Sequence, residues 1–234
     1  MAPTIYLVRH GEGEHNIEHR NWIRDATLTS KGKSQCRELK DKFPDLERIS
    51  TVITSPLRRA MQTAAIAFAP AINREGVQFI AHPLAQETNA HECDIGHSRA
   101  ELEGQLSEIL VDRDPTFPVT KLDLSLVEDG WASKAGKYAT DKPIVEMRAA
   151  ELRSWLFQRP EARIVCVTHG AFLHYLTEDW TGDDPERGTG WLNCEVRVFE
   201  FTENSTESDA HLFEDKDAKA DHVMPTTKSL KTIY

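Results

Sequence analysis

The stretch that decides the fold lies near the start of the chain and reads Thr4-Ile5-Tyr6-Leu7-Val8-Arg9-His10-Gly11-Glu12. A short run of apolar, β-forming residues that ends abruptly in polar ones is typical of a buried strand leading into a loop. Ligands of open α/β sheets bind at the carboxyl ends of such strands. Because Arg9 is a permanent cation and His10 can act as a base or a nucleophile, this strand end predicts a site for an anion.

The periodicity of apolar residues predicts the other elements. Strands are expected at residues 51–54, 77–80, 164–167 and 196–201, the last as an edge strand with one wet face. Helices are expected at 31–42, 56–68, 99–111, 142–158 and 171–178. The second helix is expected to begin with Pro56 after the N-cap Ser55. Alternating strands and helices predict an α/β fold in three layers: a mostly parallel central sheet with helices on both faces.

Length and composition narrow the class of protein. The 234 residues contain no linker before residue 200, which predicts one domain over 1–201 and an acidic, polar tail over 202–234 that is at best partly ordered. A net charge of −10 argues against nucleic acids and anionic membranes as partners. Without a signal segment or an apolar run of about 20 residues, a cytoplasmic location is expected, with the four cysteines as free thiols.

Chemistry-bearing residues stand at several strand ends. Glu87 follows the strand at 77–80, and His169 ends the strand at 164–167, again before a glycine. Arg59 lies in the first turn of a helix, where the helix dipole disfavours a cation by about 0.3–1 kcal/mol unless an anion is bound at that helix end. Arg58 projects about 100° around the helix from Arg59, so both cannot easily contact one ligand.

Two imidazoles and two guanidinium groups at one sheet edge suit an anionic tetrahedral group, and a phosphoryl group is the obvious candidate. His10 is expected to attack phosphorus through a neutral ring nitrogen, with its tautomer fixed by a backbone carbonyl near Gly11. Arg9, Arg59 and His169 would neutralise the phosphoryl oxygens in the transition state. Glu87 is placed to protonate the leaving alkoxide.

Several stretches match the motifs of one family in its order. Residues 9–16 match R-H-G-E-x-x-x-N, residues 28–35 match L-T-x-x-G-x-x-Q, and residues 55–63 resemble S-P-L-x-R-A-x-Q-T. Residues 84–87 and 167–170 resemble the segments that carry its acid and its second histidine. The chain therefore resembles the histidine phosphatase superfamily, in its phosphoglycerate-mutase-like branch, over roughly residues 4–175.

That resemblance implies a phosphoglycerate-mutase-like fold and a role for each matching residue. His10 would become phosphohistidine, and Glu87 would act first as the acid and then as the base for water. The phosphoryl group would be held by Arg9, Arg59, His169, Asn16 and the backbone at Gly170. Neither a metal nor a cofactor is implied. A zinc site at His91-Glu92-Cys93 with His97 is not favoured, because no second spaced pair of ligands completes it.

The expected activity is hydrolysis of a small or medium anionic phosphomonoester by a small intracellular phosphatase. Mutase-type phosphotransfer is an alternative, although residues 11–16 lack the serine and tryptophan that mutases carry after the nucleophile, and Thr88-Asn89-Ala90 replaces their Arg-His-Tyr-like run. A non-catalytic phospholigand-binding or scaffold protein is a second alternative. The sequence leaves open the substrate, the pathway, the oligomeric state and any ordering of the tail over the site. The loop at 88–98 and a polar, irregular excursion at 112–141 are expected to line or cap the pocket.

Overall fold

Seven strands form one sheet in the computed structural model, which describes residues 2–44, 46–183 and 189–215. The strands are β1 (Thr4–Arg9), β2 (Thr51–Thr54), β3 (Gln78–Ala81), β4 (Leu122–Asp123), β5 (Arg163–Thr168), β6 (Val196–Phe201) and β7 (Leu212–Glu214). Their order is β4-β3-β2-β5-β1-β6-β7. The first five strands are parallel, and β6 and β7 are antiparallel to their neighbours. The predicted α/β class and mostly parallel sheet are confirmed.

Helices cover both faces of this sheet. They are α1 (Ser30–Lys42), α2 (Arg58–Ala67), α3 (Ala69–Ile72), α4 (Arg99–Leu110), α5 (Lys142–Phe157) and α6 (Gly170–Thr177). The chain moves from β1 through β4 toward one edge and then returns to insert β5 between β2 and β1. Because parallel crossovers are right-handed, this reversal places α5 on the face opposite α1 to α4. Helix α6 packs on α5, and α2 packs on both α1 and α4.

The reversal also defines where a ligand can bind. The central strands β1, β2 and β5 are buried along almost their whole length, so their side chains form the core. The carboxyl ends of β1 and β5 lie side by side at the point where the strand order reverses, which is where open α/β sheets bind ligands.

Three predictions of local structure are wrong. Helix α2 begins at Arg58 rather than after Ser55, because the Ser55 amide still donates to the Val167 carbonyl of β5 (3.0 Å) and so belongs to the sheet. Strand β6 is not an edge strand, since β7 pairs with its outer side. The excursion at 112–141 is not wholly irregular, because it supplies the two-residue strand β4.

The segment beyond the predicted boundary at residue 201 continues along the sheet. Residues 202–215 turn back to form β7, and Arg153 of α5 donates from Nε to the Ala210 carbonyl (2.6 Å). The rest of the predicted tail, residues 216–234, lies outside the described residues. Among the helices described, none combines the length and the apolar character needed to cross a bilayer.

Candidate active site

His10 lies immediately after β1, and hydrogen bonds fix its tautomer. Its Nδ1 lies 2.7 Å from the Gly11 carbonyl oxygen, which can only accept, so Nδ1 carries the hydrogen. The Nε2 lone pair therefore remains available, and Arg59 Nε donates to it at 3.2 Å. Burial, followed by the positive charge of Arg59, lowers the pKa of His10 well below its usual value. The ring is thus neutral at physiological pH, and its Nε2 carries no hydrogen.

Arg59 reaches the same point from the first turn of α2. Its side chain is fully buried, and it donates from Nη1 to the Cys93 carbonyl and from Nη2 to Asp94 Oδ1, each at 2.6 Å. Burial opposes the charge, but Asp94 more than compensates and the pKa of Arg59 is raised. Arg58 points elsewhere, as its position on the helix predicts, and donates from Nε to the Asp25 carbonyl.

The second predicted imidazole, His169, lies beside the first. The ring centroids of His10 and His169 are 5.1 Å apart, and His169 Nε2 lies 2.8 Å from the Ser55 hydroxyl oxygen. Burial, followed by the charge of Arg59, lowers the pKa of His169 well below its usual value. The next residue, Gly170, approaches its surroundings closely: a Cβ there would lie 2.5 Å from Thr189 Cγ2.

Arg9 is the second arginine that lines the site. It is 5% exposed, and its Nη1 donates to the Trp191 carbonyl at 2.5 Å. A Cβ added at Gly170 would lie 3.2 Å from Arg9 Nε, so a side chain at that position would press on this guanidinium. The glycine after His169 therefore keeps the space beside Arg9 open.

Glu87 lies in the same cavity, at the N-terminus of α6. Its Oε1 accepts from the amides of Thr88 (2.9 Å) and Phe172 (3.1 Å). Burial, followed by the negative charge of Asp94, raises the pKa of the carboxyl group. A carboxyl group that keeps its proton at higher pH is suited to donate it to a leaving group.

Two cations from other elements hold the backbone that carries Glu87. Arg148 of α5 donates from Nη1 to the Gln86 carbonyl (2.5 Å), and Lys134 donates from Nζ to the Glu87 carbonyl (3.0 Å). Burial lowers the pKa of Lys134 to about 8 and that of Arg148 to about 10. Lys134 belongs to the 112–141 excursion, which therefore helps to hold the backbone of Glu87 in place without lining the cavity.

Asn16 fixes the loop that follows His10. Its Oδ1 accepts from the Gly13 amide (2.9 Å), and its Nδ2 lies 2.9 Å from His15 Nε2. His15 is a buried imidazole whose ring centroid is 5.5 Å from that of His10. Burial, followed by the charge of Arg59, lowers its pKa as well.

The remaining motif residues brace the same loop. The Gln35 side chain accepts from the Glu12 amide (2.8 Å), the Thr63 hydroxyl from the Gly11 amide (3.0 Å) and the Gln62 side chain from the Leu28 amide (2.8 Å). These side chains come from α1 and α2, so both helices fix the position of His10. The side chains of these motifs therefore hold the end of β1 and the loop that follows it in position.

A cavity of about 40 Å³ opens between these groups. Its lining comprises Arg9, His10, His15, Asn16, Asn21, Arg59, Glu87, Asn89, His91, Cys93, Asp94 and Gly170. All the predicted site residues line it except His169, which lies against the His10 ring. Segment 88–98 lines the cavity as expected, whereas none of the described residues of 112–141 does so.

Sequence reasoning missed Asp94, His15, Asn21 and Asn89. Asp94 belongs to a loop without periodicity, and its neighbours His91 and Cys93 indicate the rim of a pocket rather than a zinc site. The position of Arg59 in a helix's first turn favours an anion nearby but does not indicate that a residue of this loop supplies it. No group of three or more His, Cys, Asp or Glu is arranged to hold a metal ion in the described part of the chain.

Comparisons with known proteins show what the whole chain is similar to. The sequence model described as histidine phosphatase superfamily (branch 1) matches residues 5–212. The chain is 28% identical over 174 residues to a Schizosaccharomyces pombe protein named "Probable phosphatase", a match that covers 71% of this chain and 74% of the other. It is also 28% identical over 239 residues to a phosphoglycerate mutase-like protein of Arabidopsis thaliana, covering 83% of this chain and 82% of the other. The fold resembles Bacillus stearothermophilus YhfR, with a TM-score of 0.55 and 20% identity over 94% of this chain and 100% of that one.

Proposed function

The chain belongs to the histidine phosphatase superfamily, and on that premise we propose that it hydrolyses a small or medium phosphomonoester through a phosphohistidine at His10. The observation that carries the proposal is the Nδ1–H hydrogen bond of His10 to the Gly11 carbonyl, which leaves Nε2 unprotonated on a ring that lines the cavity. A phosphatase needs this state of the ring before its substrate arrives.

In the first step, His10 Nε2 attacks phosphorus and the bond from phosphorus to the ester oxygen breaks. Arg59 Nε, which now donates to His10 Nε2, turns to a phosphoryl oxygen, while Arg9 and His169 stabilise the other oxygens. Asn16 and the Gly170 amide complete the binding of the group. The leaving alkoxide takes its proton from the Glu87 carboxyl group.

In the second step, the Glu87 carboxylate removes a proton from water, whose oxygen attacks the phosphohistidine. The bond between phosphorus and Nε2 breaks, His10 returns to its neutral form, and inorganic phosphate leaves. No group outside the protein, the ester and water is needed for atoms and charge to balance. We therefore propose neither a metal nor a cofactor for the reaction.

One feature of the sequence supports water as the acceptor of the phosphoryl group rather than a second substrate alcohol. The loop after His10 carries Gly13 and His15 where the mutases have the serine and tryptophan. The names of related proteins include both phosphatases and mutase-like proteins, so they support phosphoryl transfer in general. We also propose a cytoplasmic location, which is supported by the four free, buried cysteines.

Replacement of the nucleophile tests this proposal. His10→Ala is expected to lower the hydrolysis of 4-nitrophenyl phosphate by about three orders of magnitude or more, because no other group can form the intermediate. His19→Ala is the matched control, since His19 is an exposed imidazole of the following loop and does not line the cavity. Equal turnover by wild type and His10→Ala, with both folded by circular dichroism, would refute the proposal.

A further inference from the structure

Resting on the proposed function, we propose that Asp94 makes this site select phosphomonoesters whose alcohol part carries no second anionic group. The carboxylate lies inside the cavity, 2.6 Å from a guanidinium nitrogen of Arg59. The preferred substrate is accordingly the monophosphate of a neutral, hydroxyl-bearing alcohol. This narrows the substrate class beyond a phosphomonoester in general.

The size of the cavity separates the phosphoryl group from the rest of the substrate. A water molecule needs about 10–15 Å³ of such space, so the cavity of about 40 Å³ admits roughly three oxygen-sized atoms. That space suits one phosphoryl group on His10. The alcohol part of the substrate must therefore lie at the mouth of the cavity, in contact with the residues there.

The charges along the lining are nearly balanced before a substrate binds. Among the described lining residues the permanent cations are Arg9 and Arg59, and Asp94 offsets one of them. Asp94 is 3% exposed, so water screens its charge poorly. A phosphoryl dianion draws on both guanidinium groups, so a second anion a few ångströms further out lies near the Asp94 carboxylate and meets no further permanent cation among the described lining residues.

The groups at the mouth are suited to hydroxyl groups. The amides of Asn21 and Asn89 line the cavity and can donate and accept hydrogen bonds without a net charge, and the imidazole of His91 beside them offers two ring nitrogens for hydrogen bonds. The Cys93 thiol beside them stays protonated, because burial, followed by the charge of Asp94, raises its pKa to about 12.

Backbone hydrogen bonds hold these groups together. The Cys93 amide donates to the Asn21 carbonyl (3.0 Å), and the Asp25 amide donates to the Glu92 carbonyl (3.1 Å). From outside, Trp131 donates from Nε1 to the His97 carbonyl (2.9 Å) and its ring covers Gly96. The mouth is therefore built in advance from the loop around Asn21 and the segment at 88–98.

A matched pair of substrates tests the selectivity. Glycerol 3-phosphate and 3-phosphoglycerate differ only in a hydroxymethyl group that is replaced by a carboxylate. The wild-type kcat/KM for phosphate release is expected to be about tenfold or more higher for glycerol 3-phosphate. An equal or higher value for 3-phosphoglycerate overturns the proposal, and this comparison requires no variant.

The variant Asp94→Asn assigns the effect to its residue. It is expected to bring the ratio of the two kcat/KM values toward one, and this ratio does not depend on the fraction of active enzyme. Glu92→Gln is the matched control, because it removes the same charge from an exposed side chain of the same loop outside the cavity lining and should leave the ratio unchanged. An unchanged ratio in Asp94→Asn, or an equal change in Glu92→Gln, overturns the role of Asp94.

The failure of the proposed function gives a different result. If wild type releases no phosphate from 4-nitrophenyl phosphate, or His10→Ala releases it equally well, the hydrolase mechanism is wrong and the selectivity proposal falls with it. If aryl phosphate is hydrolysed in a His10-dependent manner but the two glycerol-derived substrates are used equally, only the selectivity proposal is wrong.

Discussion

At the scale of single residues, burial shifts the pKa values of two groups in the cavity in opposite directions. It lowers the pKa of His10, which favours the neutral imidazole that the proposed attack requires, and it raises the pKa of Glu87, which favours the protonated carboxyl group that the proposed acid requires. The positive charge of Arg59 adds to the first shift, and the negative charge of Asp94 adds to the second. A single buried ion pair between Arg59 and Asp94 thus favours the required form of both groups.

The role of Glu87 predicts how activity depends on the leaving group. Glu87→Gln is expected to lower kcat/KM for alkyl phosphates by about 10²–10⁴-fold and for 4-nitrophenyl phosphate much less, because a good leaving group needs little protonation. Steady-state kinetics with both substrates measure this. Equal losses on the two would exclude Glu87 as the acid.

The raised pKa of Glu87 also predicts the shape of the pH profile. The acid works only while protonated, so kcat/KM for an alkyl phosphate should fall as pH rises through the pKa of this group. Because burial moves that pKa upward from its usual value, the decline should lie at higher pH than for an exposed glutamate. Glu87→Gln should lack this limb, and its persistence in the variant would assign it to another group.

Sequence reasoning succeeded where a residue's own position carries the signal. Arg59 stood out because a cation in a helix's first turn is favoured only by an anion bound nearby. The structure places a protein carboxylate, Asp94, against this guanidinium, and Asp94 is 35 positions later in the chain. Asp94 itself could not be predicted, because its loop has no periodicity and its contact with Arg59 depends on the tertiary fold.

At the scale of elements, the close approach of α1 to the loop that carries His10 depends on Gly32. A Cβ at this position would lie only 2.1 Å from the carbonyl oxygen of Glu12. This clash could not be relieved by the movement of a side chain, because the atoms of Glu12 that the Cβ would meet belong to the backbone. The glycine of the second motif therefore serves to bring α1 against the loop that carries His10.

We expect Gly32→Ala to destabilise the protein by about 1–3 kcal/mol, because the helix and the loop must separate. Gly104→Ala is the matched control: Gly104 also lies in a helix, α4, but an added Cβ meets nothing within 4 Å. That change should stabilise the protein by about 0.5–1 kcal/mol through helix propensity. Urea denaturation measures both, and similar effects of the two changes would contradict this account of Gly32.

The boundaries of elements show where sequence patterns are weakest. Ser55-Pro56 has the composition of a helix start, yet Ser55 still pairs with β5 and its hydroxyl lies beside His169. Sheet pairing and the contact with an imidazole both depend on β5, more than 100 positions away. The helix stripe that follows was predicted because its periodicity is a local property.

At the scale of the whole molecule, the strand order could not be deduced from the sequence. Alternating strands and helices predict the class of the sheet, but the insertion of β5 between β1 and β2 depends on contacts across the entire chain. This insertion places His169 beside His10. The local patterns therefore could not predict that His169 and His10 lie together, whereas the order of the motifs, which resembles that of a known family, could.

Strand β7 provides a test of how far the cooperative fold extends. Leu212 is 7% exposed and Phe213 is 47% exposed in this same strand. Leu212→Ala is expected to lower the free energy of unfolding by about 2–5 kcal/mol, the usual cost of emptying a core position. Phe213→Ala should cost clearly less, because much of that side chain remains in water.

Chemical denaturation followed by tryptophan fluorescence measures both variants. If residues 202–215 belong to the same cooperative unit as the central sheet, the whole transition of Leu212→Ala should move to lower denaturant. A transition unchanged from wild type would show that β7 contributes nothing to the stability of the domain and would favour a domain that ends near residue 201.

The central claim is that the phosphoryl group passes through His10 Nε2, and the most direct measurement is to trap it there. Wild type is mixed with 4-nitrophenyl phosphate, quenched in alkali within the first turnover, digested and examined by mass spectrometry. The account predicts one phosphoryl group on the peptide that contains His10, attached at Nε2 and absent in His10→Ala. Phosphate release without phosphorylation of His10, or phosphorylation of another residue, would contradict it.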